Sequence, residues 1–523
     1  MKYIFLLISL FTFNFLQAQV TGVVKDAAGE PIPGANVFWM NTTNGVTTNE
    51  DGNFSIHKPA RSHMLVVSFI GFENDTIHVD KGNQQLDIVL REGVELSEVN
   101  VVTRKLGTMK LRTSVMNEDM ISSAELTRAA CCNLGESFVT NPSVDVSYSD
   151  AATGAKQIKL LGLSGTYVQM MTENIPNFRG AAAPYGLGYV PGPWMQSIQV
   201  SKGSSSVKNG YESITGQINV EFKKPQLPEA DWVSANLFAS STNRYEANAD
   251  ATVKLSKRWS TSLLAHYENE TKSHDSNDDG FVDIPRVEQY NVWNRWAYMG
   301  DHYVFQAGIK ALHETRNSGQ IAHGNTPSHD LYEIGIKTNR YEAFTKNAYI
   351  FDKEKNTNLA LILQGTLHNQ DANYGRKLYD VDQSNFYASL LFETELSKQH
   401  SLSAGLSFNY DGYDQNYRLT NQAEEGLTKK FVKESVPGAY VQYTFNLNDQ
   451  LMLMGGIRGD YSSEYGFFVT PRAHVKYNPN EYLHFRLSAG KGYRTNHVLA
   501  ENNYLLASSR KMKIASHLDQ EEA

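Results

Sequence analysis

At 523 residues the chain is too long for one ordinary hydrophobic core, and a net charge of −8 leaves no basic face for nucleic acid. Aromatic residues reach 11%, with 28 tyrosines against 2 cysteines, and such Tyr-, Gly- and Asn-rich sequence in short alternating runs predicts an all-β protein. After the N-terminus no stretch is long and apolar enough for a membrane helix; a membrane protein without such helices has to be a closed barrel.

Residues 1–18 read as a signal peptide. Lys2 supplies the positive charge, residues 3–15 are apolar but too short to span a bilayer, and Ala18 precedes the expected cut at Gln19. No Cys follows that cut, so no lipid anchor is expected there, and the chain is expected to be exported. Residues 19–92 carry about seven short strand signals, from Val20-Thr21-Gly22-Val23-Val24 to the run at 86–90, and predict a small β-sandwich. Its histidines, His57, His63 and His78, fit no metal-ligand spacing. The whole series resembles the carboxypeptidase-regulatory-like domain that precedes many receptors in Bacteroidetes.

Residues 93–105 form a linker. In it Leu96, Ser97, Glu98, Val99, Asn100, Val101, Val102 and Thr103 make an extended, β-prone run that could add to the edge of a partner's sheet. Residues 106–225 predict an α+β domain. Residues 121–126 open a short helix with Ser123 as its cap, residues 133–138 a second helix, and strands follow at 158–162 and 167–171. Ile198 and Val200 alternate with Gln199 and Ser201 and run into Gly203. Gly210 and Gly216 come next, before another strand from Gln217 to Phe222. Glycines at such offsets mark tight turns and close backbone approach.

This last stretch resembles the end of the plug domain of TonB-dependent outer-membrane receptors. In that family a hydrophobic-Glu-Val-x-x-Gly strand leads to a Tyr-Gly turn and then to Gly-Gly-x-Ile-Asn. Here the three places are taken by Ile198-Gln199-Val200-Ser201-Lys202-Gly203, Asn209-Gly210-Tyr211 and Thr215-Gly216-Gln217-Ile218-Asn219. The resemblance implies that residues 96–103 are a TonB box, which in the family usually reads Leu-x-Glu-Val-Val-Val, and that the TonB energy-transducing complex is a partner. It implies too that the Pro-, Gly- and aromatic-rich loop at 175–194 is the plug apex, where substrate lands. Asn177, Phe178, Arg179, Tyr185, Tyr189 and Trp194 are then the candidate binding residues. The family usually carries Arg where this chain has Leu161.

Cys131 and Cys132 are adjacent, with α-carbons about 3.8 Å apart, too close for an unstrained disulfide. They read either as two small apolar packers on a helix or, with Met170 and Met171, as a soft Cu(I) site.

From residue 226 to 523, segments of about ten residues alternate apolar and polar, as a transmembrane antiparallel β-barrel requires. Leu402, Ala404, Leu406, Phe408 and Tyr410 alternate with Ser401, Ser403, Gly405, Ser407 and Asn409; Trp259, Thr261, Leu263, Ala265 and Tyr267 alternate with more polar neighbours. Short connectors alternate with longer polar ones at 271–286, 314–338, 369–384 and 411–434, as periplasmic turns and external loops do. In the first of these, Asp275, Asn277, Asp279 and Asp283, with Gly280 at the turn and the Phe281 carbonyl, match the front of a calcium loop, although its twelfth position is Arg286.

No Ser/His/Asp, Cys/His, H-E-x-x-H or phosphate-loop constellation appears, so no enzyme activity is expected. The expectation is a mainly β receptor: sandwich, linker with TonB box, plug, and barrel set in outer-membrane lipid. It would import a scarce nutrient, a metal chelate of the ferric siderophore or cobalamin class. Copper import, or surface binding for signalling or adhesion without import, are the alternatives. No cofactor is required, a structural Ca2+ apart. About thirteen strands follow the plug, whereas plugged outer-membrane transporters have 22, so the chain is expected to be incomplete.

Overall fold

The computed structural model describes residues 19–523 apart from 27–28, 41–44, 60–62, 70–71, 73–74, 80–84, 91–107, 111–113, 130–131, 140, 226–231, 322–330, 423–425, 448–449, 481–482 and 516–517. The expected signal peptide, the box from Leu96 to Thr103, and Cys131 lie outside the described residues. The chain divides into two compact units, Met1–Lys105 and Leu106–Ala523.

In the first unit, β1 (Gln19–Lys25), β2 (Asn36–Trp39), β3 (Gly45–Thr47), β4 (Asn53–His57), β5 (Met64–Ser68), β6 (Asp75–His78) and β7 (Gln85–Val89) form two sheets, ordered β4-β1-β7 and β3-β2-β5-β6. Strand alternation turns Val20, Val24, Phe54, Ile56 and Ile88 of one sheet, and Val37, Trp39, Leu65 and Val67 of the other, into one core. Trp39 is fully buried, and its indole N–H donates to the His57 carbonyl at 2.9 Å, so the largest core side chain keeps its hydrogen bond.

The second unit opens with a plug. It comprises β8 (Thr108–Lys110), β9 (Asn117–Ser122), α1 (Ser123–Arg128), β10 (Val144–Asp150), β11 (Ala155–Leu160), β12 (Val168–Thr172), β13 (Ile175–Pro176), β14 (Met195–Lys202) and β15 (Gly216–Phe222). Ser122, not Ser123, occupies the N-cap of α1, and it makes no side-chain cap bond. The cause is the ladder: β9 pairs with β14 as far as Ser122↔Ser197, and the helix starts only where that pairing stops. The second expected helix is a 3₁₀ turn, Leu134–Phe138, whose Glu136 N–H donates to Asn133 Oδ1 at 3.3 Å. The main plug sheet runs β13-β12-β15-β14-β9-β8, with β12 and β15 parallel and the other pairs antiparallel. Gly216 sits where β11, β14 and β15 crowd together. A Cβ there would lie 2.3 Å from the Ser201 carbonyl oxygen and 2.4 Å from Leu160 Cδ2, which leaves room for hydrogen alone.

A thirteen-stranded antiparallel sheet follows in simple chain order. Its strands are β16 (Trp232–Ala239), β17 (Arg244–Lys254), β18 (Trp259–Glu270), β19 (Arg286–Met299), β20 (Tyr303–Gly319), β21 (Glu333–Asp352), β22 (Thr357–Tyr374), β23 (Lys377–Ser397), β24 (His400–Arg418), β25 (Thr428–Leu447), β26 (Leu451–Ser462), β27 (Gly466–Asn480) and β28 (Leu483–Gly490). In this sheet β16 and β28 are the outer strands and are not paired with each other. Ser262, His266, Gln289, Asn291 and Arg295 are buried on the side facing the plug, while Leu263, Tyr290, Val292 and Trp296 are exposed on the other. That inversion, polar inside and apolar outside, suits a wall with a polar plug within and lipid without.

The connectors at one end are short throughout: 255–258, 300–302, 353–356, 398–399, 448–450 and 481–482. At the other end 271–285 and 320–332 are long. The expected loop at 369–384 is instead a continuation of β22 and β23 closed by residues 375–376, and that at 411–434 shrinks to 419–427. Those stretches read as loops because their outer face is polar. Their inner face is mixed: beside the polar Gln370, Gln383 and Gln415, the side chains of Ala372, Tyr374, Tyr379, Val381 and Tyr413 are buried, and this burial carries the ladder on past the apolar band. After β28 come β29 (Tyr493–Arg494), α2 (Val498–Glu501) and β30 (Glu521–Glu522), the last paired with β29.

Candidate binding site on the plug face

The plug is fastened to the inner wall by buried polar groups. Glu173, in the tight turn between β12 and β13, meets Arg295 at 2.7 Å and Lys346 at 3.6 Å. Burial alone would raise its carboxyl; Arg295, Lys346 and Lys224 outweigh burial and hold it at about 2. Asn177 bridges two wall residues, its Nδ2 donating to Glu342 Oε2 at 3.0 Å and its Oδ1 accepting from Arg340. Farther round, Arg472 on β27 aims its guanidinium into the loop between β14 and β15. Its two terminal nitrogens donate to the carbonyls of Ser205, Ser206, Gly210, Tyr211 and Ser213 and to Ser205 Oγ, at 3.1–3.4 Å.

A cavity of about 330 Å³ opens between the plug face and residues 494–504. Of the six apex residues expected to bind substrate, Asn177, Phe178 and Arg179 line it. Phe178 and Gly180 both have positive φ (54° and 59°), and a Cβ at 180 would lie 2.4 Å from the Tyr413 hydroxyl, so this corner is fixed by contact with β24. Arg179 is paired with Glu212 and, at 3.2 Å, with Asp411. Of the other three, Tyr189 and Trp194 face the wall and Tyr185 reaches the segment at 494–504. Tyr185 donates its hydroxyl to Asn503 Oδ1 at 3.1 Å, the Tyr189 carbonyl accepts from Asn291 Nδ2 at 3.0 Å, and Trp194 is fully buried beside Trp293, ring centroids 6.3 Å apart. Their aromatic character serves docking of the plug rather than an open surface.

Sequence reasoning missed Tyr167 and Glu212 on the plug and the whole far side of this cavity, Arg494, His497, Glu501 and Tyr504. The available signal was a short apolar stretch within a polar connector, since Leu499, Ala500 and Leu506 are buried. Arg494 binds Glu501 and, at 3.3 Å, Glu521. Burial lifts the Glu501 carboxyl to about 7 despite Arg494 and lowers the His497 imidazole to about 4, so His497 is neutral at pH 7. Three cations (Lys156, Arg179, Arg494) and three carboxylates (Glu212, Glu501, Glu521) line the cavity, together with Tyr167, Phe178 and Tyr504. Such a lining suits a polar ligand that presents both acceptors and an apolar surface. Leu161, where the family usually carries Arg, is exposed with φ 55°.

The remaining expected sites are placed as follows. Met170 lines this cavity, Met171 is fully buried, and Cys132 lines a different cavity, where burial raises its thiol far above the usual range. Cys132 and Met170 thus line different cavities, while Cys131 lies outside the described residues. In the loop before β19, the turn at Gly280 is present (φ 81°). Its carboxylates, however, accept from backbone: Asp275 from the Asp279 and Gly280 N–H groups (3.1 and 2.9 Å), Asp279 from Phe281 N–H (2.8 Å), and Asp283 from Ser276 N–H (2.7 Å). Asn277 Nδ2 donates to Asp279 Oδ2 at 3.0 Å. Among the described residues no group of three or more His, Cys, Asp or Glu is placed to hold a metal ion.

A long-stranded antiparallel wall, apolar outside and polar inside, holding a mixed-sheet plug, defines a plugged outer-membrane β-barrel protein. The chain belongs to the TonB-dependent receptors. Residues 199–509 match the family described as TonB dependent receptor-like, beta-barrel, residues 110–217 the TonB-dependent receptor plug domain, and residues 20–102 the CarboxypepD_reg-like domain. It is 28% identical over 245 residues to the TonB-dependent receptor SusC of Bacteroides thetaiotaomicron, which is 44% of this chain and 24% of that one. It is 39% identical over 100 residues to the TonB-dependent receptor P39 of Formosa agariphila, 18% of this chain and 10% of that one. These matches thus span a quarter or less of the curated relatives' length. In fold it is similar to the alcaligin outer-membrane receptor FauA of Bordetella pertussis (TM-score 0.61, 14% identity, 77% of this chain and 69% of that one) and to the copper transporter OprC (TM-score 0.60, 12% identity, 76% and 65%).

Proposed function

We propose that this receptor takes up a small polar nutrient of the metal-chelate class, ferric siderophore or cobalamin, by TonB-driven movement of the plug. The observation that carries this reading is the cavity on the plug face, whose lining combines Arg179 of the plug and Arg494 of the segment after β28 with Tyr167, Phe178 and Tyr504. Guanidinium groups recognise the oxygen donors of a chelate, and aromatic faces cover its apolar rim. The receptors of similar fold include siderophore receptors. Copper import is the second reading, favoured by the Met170 thioether in the same lining.

Movement requires a coupler, and residues 96–103 supply the sequence for one. Val99, Val101 and Val102 would join a TonB sheet through main-chain hydrogen bonds, and Val101→Pro removes a donor and fixes φ, so that pairing fails. Cells carrying the full-length receptor are tested for binding and for uptake of labelled ferric siderophore, cobalamin or copper. The expected result is uptake in the wild type, and binding without uptake in Val101→Pro. Uptake that persists in Val101→Pro removes the coupling role, and binding without uptake in the wild type favours a signalling or adhesion receptor.

A further inference from the structure

The cavity on the plug face holds two guanidinium groups, and their carboxylate partners are held with unequal firmness. Arg179 is paired with Glu212 and, at 3.2 Å, with Asp411. The Asp411 side chain is 1% exposed and also accepts from Asn385 and Asn409, at 2.9 and 2.7 Å; that of Glu212 is 16% exposed. Arg494 is paired with Glu501, whose side chain is 10% exposed, and at 3.3 Å with Glu521. At 36% exposed, the Glu521 side chain is the most open of the four.

The backbone around Glu521 is lightly fastened. β30 meets β29 over two residue pairs, Tyr493↔Glu522 and Arg494↔Glu521, and the next rung is made by Gly492 and Ala523, whose N–H groups donate to each other's carbonyls at 3.0 and 3.1 Å. The Glu521 side chain nevertheless lines the cavity, and its charge pushes the Tyr167 hydroxyl of the plug above the usual range. Arg494 does not depend on it for position. Its Nη1 donates to Asn496 Oδ1 at 2.8 Å, its Nη2 donates to Glu501, and its guanidinium lies 5.9 Å from the centre of the Tyr167 ring.

We infer that Glu521 occupies the place of a ligand carboxylate: the chelate this receptor takes presents a carboxylate, which displaces Glu521 from Arg494. The inference rests on the reading of this cavity as a chelate site. A carboxylate suits the guanidinium fork, which can meet it with two parallel N–H···O bonds. The exchange leaves Arg494 with the same number of carboxylates before and after, and Glu521, already open on one side, turns to water. The same exchange against Asp411 would strand a buried charge, which is far more costly than parting a half-open pair. A chelate built from hydroxamates alone has no carboxylate to offer and cannot make the exchange.

The test is titration of the intact receptor in detergent with ferric citrate, a carboxylate chelate, and with ferrioxamine B, a trihydroxamate chelate without a carboxylate. Saturable binding of ferric citrate, tighter than that of ferrioxamine B, is expected. Glu521→Gln keeps the shape but removes the competing charge, and should tighten ferric citrate binding about fivefold, the worth of a half-open ion pair. A side chain that only braces the fold would give equal or weaker binding on the same change. Glu522→Gln removes an equal charge outside the cavity lining and should alter the affinity less than about twofold. Arg494→Lys keeps the charge but loses the fork, and should weaken binding about tenfold. Ferric citrate binding no tighter in Glu521→Gln than in the wild type, or as much tightened in Glu522→Gln, overturns the inference. Saturable binding of ferrioxamine B without ferric citrate overturns it too and leaves the chelate reading standing, whereas no saturable binding of either up to about 1 mM overturns both.

Discussion

Replacing Arg472 by alanine should loosen one loop of the plug while leaving the wall intact. The guanidinium makes six contacts with the loop between β14 and β15, all at 3.1–3.4 Å. Its two terminal nitrogens carry only four hydrogens, so the contacts are shared and no more than four count. A hydrogen bond to a charged group is worth about 1.5–3 kcal/mol net, and these lie at the long end of the range. Taking about 1 kcal/mol for each, and allowing water to re-satisfy part of the loss, the loop should open more easily by about 3 kcal/mol. That is about two powers of ten in the opening equilibrium. The amides to watch are those of Gly203, Asn209 and Gly210, which bond within the loop, read by hydrogen exchange of the intact receptor. Arg472→Lys keeps the charge but not the fork, and should fall between wild type and Arg472→Ala. Exchange in this loop that is unchanged in Arg472→Ala would refute the reasoning.

Three further outcomes are expected. Gly216→Ala drives a methyl against the Ser201 carbonyl and Leu160 and should cost the plug about 3 kcal/mol in urea unfolding, the upper end of ordinary overpacking; a change within about 1 kcal/mol refutes the close-packing argument. Because the folded carboxyl of Glu173 titrates at about 2 against an ordinary 4.5, its contribution is complete above pH 4.5 and is lost as the pH falls toward 2. The stability of the wild-type plug relative to Glu173→Gln should therefore be level from pH 8 to pH 5 and fall below about pH 4, and a difference that does not change with pH counts against this. Calcium at the Asp275–Asp283 loop, proposed from its spacing, has to displace the backbone amides now bound there; titration with CaCl2 should give heat with the wild type and none with Asp279→Ala, and equal heats remove the claim.

The fold was legible where a period or a glycine forces the backbone. Inside-out alternation gave the wall, because one face of each strand meets lipid, and three glycines marked the plug: Gly203 and Gly210 because their φ is positive (83° and 102°), Gly216 because of close approach. The strand ends were not legible. Beyond the apolar band both faces carry polar residues, and only the buried positions of Tyr374, Tyr379 and Val381 show that the ladder goes on. The same ambiguity split the apex residues. Tyr185, Tyr189 and Trp194 look like a ligand surface in sequence, yet aromatics with a polar tip serve equally to dock a plug. Residues 494–504 were missed because the partners that make them part of the site, such as Tyr413 beside His497, stand far away in sequence.

The strand order of the plug sets a mechanical sequence. A pull applied to the chain ahead of β8 would meet that strand first, an edge strand joined to β9 over three residue pairs. The antiparallel β9 would peel next from β14, one rung at a time, a low-force geometry compared with shearing many rungs at once. The pull would then pass along the chain to α1 and β10, leaving β14 as an edge whose Lys202 end leads into the loop gripped by Arg472. Behind it lie β15 and β12, paired in parallel and backed by Glu173 on Arg295 and Lys346. The sheet is thus graded: a margin that would unravel under a pull, and a remainder braced against the wall by Arg472 and by the ion pairs of Glu173.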